Sequence, residues 1–134
     1  HPYFAFLRGE LLAKTQQWEK LDVLMPTLTD FASKGPFLQQ NECQLKLAYI
    51  KGIEAFKTGN YKESIKQSTW MLINYHMEFD WLKGFAHFLR GQSHEAIGEF
   101  GLAIADYKDV LKMDSYYPEV DKAQERIRQI EKRK

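Results

Sequence analysis

Few side chains in this 134-residue chain have the type and spacing to do chemistry. His87, His94 and Glu95 lie within nine positions of one another, and a seven-residue step puts the two histidines on one helical face. Two turns at ~1.5 Å per residue separate them by about 10 Å, too far to share one metal ion. Asp106 and Asp109 form a carboxylate pair that reads as exposed helix charge, and His76 beside Tyr75 reads as a solvated turn residue. Cys43 is the single cysteine, so no intramolecular disulfide and no cysteine-based zinc site can form. In an apolar helical stretch it reads as a small buried hydrophobe. No glycine-rich phosphate loop, nucleophile elbow or zinc signature is present. The expectation is a protein without catalytic residues, bound metal or cofactor.

The elements that must position these residues are helical. Apolar residues recur at helical spacing throughout: Phe6, Gly9, Leu12 and Ala13; Leu21, Leu24, Met25 and Leu28; Leu47, Ile50 and Ile53. The pattern continues through Ile65, Met71 and Tyr75, then Leu82, Phe85 and Leu89, then Ala103, Tyr107 and Val110, and ends on the amphipathic Val120, Ala123, Ile127 and Ile130. No stretch alternates with period two. Turns fall at Thr15-Gln16-Gln17, Thr58-Gly59-Asn60 and Ile97-Gly98-Glu99, where glycine can supply the left-handed conformation that ends a helix. Gln16 stands where the other two turns have glycine. Pro118 suits the first turn of a closing helix, whereas Pro26 falls inside the second helix and is expected to kink it. The spacing predicts seven helices.

Composition sets the class. A hydrophobic fraction of 44% and an aromatic fraction of 14% are those of a folded chain, and 134 residues make one domain, 1–134. A net charge of +1 gives no case for nucleic-acid binding. Residues 122–134 carry six basic and two acidic side chains, which suits the solvated end of a final helix. No apolar run approaches the roughly 18 residues of a membrane span. The chain opens on His1-Pro2, and so reads as a processed product or a piece of something longer.

The chain also repeats itself. Phe-Leu-Arg-Gly occurs at Phe6–Gly9 and Phe88–Gly91, with Tyr49-Ile50-Lys51-Gly52 between them. Nine residues after each glycine stands an aromatic (Trp18, Tyr61, Phe100), and three further on stand Leu21, Ser64 and Ala103. This pattern resembles the tetratricopeptide repeat, most closely over Gly84–Tyr117, then Leu45–Glu78, then Pro2–Gly35, each block 34 residues long. Nine and five excess residues (36–44 and 79–83) fall between the blocks, so the first helices of repeats two and three are expected to begin a turn or two early. The resemblance implies an all-α, right-handed superhelix of helix-turn-helix hairpins, closed by a capping helix at 118–133. The larger Leu21 is expected to push its hairpin apart.

In that family the first helices line a concave groove that binds an extended peptide or a partner helix. The repeat register places Phe6 and Glu10, Tyr49, Ile53 and Phe56, and Phe85, Phe88 and Gln92 outward on those helices, with Tyr3, Lys14, Lys46, Lys57 and Glu95 beside them. Phe6, Tyr49 and Phe88 are equivalent and would form an aromatic ladder. Either the ladder binds a partner or it closes the core; the register allows both. Phe6, Glu10, Tyr49, Ile50, Phe85 and Leu89 occupy the places where chaperone-binding members hold a carboxylate clamp, so a clamp is not expected. The implied partner is an apolar or aromatic protein segment, with a basic stretch meeting Glu10 and Glu95. In the repeated motif the leucine is expected in the core and the arginine in solvent. Two other readings stand beside this one: an accessory domain packed against the rest of a larger enzyme or secreted protein, and a self-associating scaffold built through the apolar Pro2-Tyr3-Phe4 edge.

Overall fold

The structure, a computed structural model, describes residues 2–133; His1 and Lys134, the ends of the single domain read from the sequence, lie outside the described residues. Among these residues the fold is all-α, with seven helices and no strand. They are α1 (Tyr3–Lys14), α2 (Trp18–Phe31), α3 (Phe37–Lys57), α4 (Tyr61–Ile73), α5 (Trp81–Ala96), α6 (Phe100–Val110) and α7 (Pro118–Lys132). None of these helices is long and apolar enough to cross a membrane. α3 and α5 begin early, at Phe37 and Trp81, within the excess residues 36–44 and 79–83. α2 runs through Pro26, whose missing donor falls on the solvent side.

Three hairpins turn the same way. The amides of Gln17, Asn60 and Glu99 reach back to the carbonyls of Leu12, Ala55 and His94 at 2.9, 2.7 and 2.9 Å, which satisfies end groups that the helices leave open. Each turn needs a left-handed residue, and φ is +81° at Gly59 and +82° at Gly98. At the first turn Gln16 adopts φ +58° against its side chain's preference. Gln16→Gly is therefore expected to raise stability by about 0.5–1 kcal/mol, the relief of backbone strain less glycine's extra unfolded freedom. Thermal unfolding checks this: a lowered midpoint would mean that the exposed side chain contributes more than its backbone costs.

Adjacent helices pack along the chain, and the odd-numbered helices also touch one another, α1 with α3, α3 with α5 and α5 with α7. One part of the core joins α1 to α5 around Leu21, Leu45, Ile50 and Met71; a second joins α6 to α7 around Tyr107, Val110, Ala123 and Ile130. Close approach of α5 to α6 depends on Gly91, where a Cβ would stand 2.9 Å from the buried Tyr107 ring. Buried polar groups are paired: Ser93 donates to Ser64 Oγ at 2.9 Å across α5 and α4, and Asn41 Nδ2 donates to the Asn74 carbonyl at 2.9 Å. Cys43 is buried, and burial together with neighbouring Glu42 pushes its thiol up, making it a poor nucleophile.

Candidate partner-binding site

A cleft of about 170 Å³ opens where α1, α3 and α5 meet. Tyr3, Leu7 and Glu10 of α1 form one side, Lys46 of α3 lies between, and Trp81 and Phe85 of α5 form the other. Phe6 and Ile50 make its floor. The aromatic wall is braced from behind. Phe85 stacks on Tyr49 (6.0 Å, 21°), meets Trp81 edge-on (5.7 Å) and touches Tyr117 ahead of α7 (5.6 Å), while Phe79 stacks on Trp81 (5.2 Å). Rings held this way present large contact area at little further entropic cost.

The cleft's charges are balanced within the chain. Glu10 accepts from Lys14 at 3.0 Å, and that ammonium lies 5.8 Å from the Tyr49 ring centre. Lys46 lies 3.7 Å from Glu42 and 5.3 Å from the Tyr3 ring centre. Burial, with Glu10 and Glu119 nearby, pushes the Tyr49 hydroxyl far above its ordinary value, so it stays neutral.

The outward register read from the sequence requires correction. Phe6 is 3% exposed, Tyr49 8% and Ile53 5%; Tyr49 and Ile53 point into the core, while Phe6 is reached only as the floor of the cleft. In the first motif copy Leu7, expected in the core, is 41% exposed and lines the side of the cleft above the buried Phe6. Glu10, Phe56, Phe85, Phe88 and Gln92 are half-buried, but only Glu10 and Phe85 belong to the cleft. Phe56 leans on Tyr61 at the end of its own hairpin (5.5 Å), and Phe88 packs on Tyr107 (5.9 Å). Glu95 is engaged internally: it accepts from Tyr107 Oη at 2.8 Å and Arg126 Nε at 3.0 Å, tying α5 and α6 to α7. Burial raises its carboxyl, but those hydrogen bonds prevail and hold it below the usual range. Trp81 escaped the register because it lies among the five residues between repeats; its four-residue step to Phe85 was the available signal.

A second cluster involves residues read as solvated. Asp106 is 3% exposed rather than a surface charge, and Arg90, expected in solvent, clasps it. Arg90 Nε donates to Asp106 Oδ2 at 2.9 Å and Nη2 to Oδ1 at 2.8 Å, while Nη1 reaches Thr69 Oγ1 on α4 at 3.2 Å. His87 Nδ1 lies 2.9 Å from Asp106 and 3.6 Å from Asp109. Burial raises the Asp106 carboxyl, but hydrogen bonds from His87 and Arg90 outweigh it and hold the group below the ordinary carboxylate range. His87, Asp106 and Asp109 bring ligand-type atoms within 4.8 Å of one another. Arg90, however, already takes both Asp106 oxygens, so the cluster fits an ion-pair clasp between α4, α5 and α6.

No protein-family model, curated protein or solved structure matches the chain.

Proposed function

We propose that the chain is a protein–protein interaction module: three tetratricopeptide-like hairpins in a right-handed superhelix, with α7 as its cap and a concave face that receives an apolar or aromatic segment of a partner. The superhelical reading is supported by the recurrence of one neighbour pattern, in which α1, α3 and α5 each pack on the helix that follows and on the next odd-numbered helix. α7 buries Val120, Ala123 and Ile130 on one side and leaves its charged side in water, as a cap should.

The observation that carries the functional reading is the cleft at the meeting of three successive first helices, walled by Leu7, Trp81 and Phe85. It has room for about one large apolar side chain, so a single anchor residue should dominate recognition. Peptides selected from a random display library against the wild-type chain are expected to carry a bulky aliphatic or aromatic anchor. Leu7→Glu with Trp81→Glu is expected to weaken their binding by about 100-fold or more while circular dichroism stays helical. Unchanged affinity in that double variant would overturn the assignment.

A further inference from the structure

The repeat register isolates one place where the hairpins are not equivalent, on the face opposite the cleft. Between the second and third hairpins, Arg90 spans Thr69 of α4 and Asp106 of α6 and draws them together over α5. One repeat earlier the same three positions carry Lys51, Pro26 and Gln67. Pro26 has no hydroxyl to accept, and Gln67 has no charge; its amide donates instead to Glu63 of its own helix at 2.9 Å. Lys51 is left exposed, and no clasp forms.

The consequence is visible in the packing. α4 lies along α5, whereas α2 touches α3 only sparsely and leaves a groove between α2 and α4. Two hollows of about 380 and 390 Å³ share Lys51 and Gln67 and so run into one another. Their floor is one face of α3 from Gln44 to its C-cap Thr58, about 21 Å at 1.5 Å per residue. That is the length of four helical turns. Leu47 and Ala48 make the floor of the first hollow apolar, with Trp70 of α4 on its wall, and Trp18 and Met25 of α2 line the second. Asp22, Glu54 and Glu63 line the same groove against the one ammonium of Lys51. Burial, then Asp22, pushes the Glu54 carboxyl up, and Lys51 offsets this only in part.

We infer that this groove docks a basic amphipathic helix of a partner protein, its apolar side on Leu47, Ala48 and Trp70 and a lysine or arginine between Asp22 and Glu54. The length of the floor, its apolar character and the excess of carboxylates each fit that occupant. The inference does not depend on the concave cleft, since the two sites share no residue.

The test uses 16-residue amphipathic peptides with leucine at helical spacing and either lysine and arginine or glutamate on the flanks. Titrated into the full chain labelled with ¹⁵N, the basic peptides are expected to bind and to shift Lys51, Gln67 and the Trp70 indole. Acidic ones should not bind. Asp22→Lys with Glu54→Lys should weaken the basic peptides by about tenfold or more and admit the acidic ones. The inference is overturned if no basic peptide binds, if acidic peptides bind wild type equally well, or if the shifts fall at Leu7 and Trp81 instead.

Discussion

Asp106→Ala is expected to cost about 3–5 kcal/mol of stability, because it breaks a buried ion pair from one side. The carboxylate accepts both Nε and Nη2 of Arg90 and faces His87 Nδ1. Without it, a partly buried guanidinium keeps Thr69 as its remaining partner in this cluster, and α4, α5 and α6 lose their common link. Asp109→Asn is the matched control. Asp109 lies 3.6 Å from His87 and pairs with the exposed Lys112, so its loss should cost less than about 1 kcal/mol. Denaturant unfolding separates the two, and a cost for Asp106→Ala as small as the control's would refute the clasp.

The same carboxylate predicts an acid limit. Its folded value lies below the unfolded one, so its contribution is complete above the unfolded value of about 3.9 and is lost as pH falls through the folded one. Glu95 acts in the same direction from an unfolded value of about 4.3. Stability should therefore hold from neutral pH down to about pH 5 and fall progressively below it, with a shallower fall in Asp106→Asn.

The second large effect concerns the ladder. Tyr49→Ala combined with Phe88→Ala is expected to unfold much of the protein at room temperature, not merely to alter a surface. Tyr49 is buried, stacked on Phe85 beneath the Lys14 ammonium, and its truncation should cost about 3–5 kcal/mol. Phe88 packs on Tyr107 in the other part of the core and adds a smaller loss, close to additively. The sum is comparable with the whole stability of a typical domain, about 5–15 kcal/mol. Circular dichroism during urea unfolding should show the loss, and a double variant as stable as wild type would restore both rings to the surface.

What the sequence made legible follows from local rules. Seven helices could be read from a 3.6-residue period, and their ends from Gly59, Gly98 and Pro118, because these signals act within a turn or two of the chain. The site was less legible because it depends on how each hairpin is rotated. One position along a helix is a turn of about 100°, so the rotation of α1 decides that Leu7 reaches the surface while Phe6 lies beneath it. Asp106 has the local appearance of a solvated helix charge; its partners Arg90 and His87, 16 and 19 residues away on another helix, explain its burial. Trp81 was hidden by the register itself, since it lies in the segment between two repeats. Pairings across hairpins thus decided the places where the sequence and the structure part.

The central claim is that the concave cleft receives a partner's apolar anchor, and chemical-shift mapping tests it most directly. When a library-selected peptide is added to the ¹⁵N-labelled chain, shifts are expected to concentrate at Leu7, Glu10, Lys46, Phe85 and the Trp81 indole. Failure of the library to yield a binder, or shifts that leave those residues unmoved, would contradict the account.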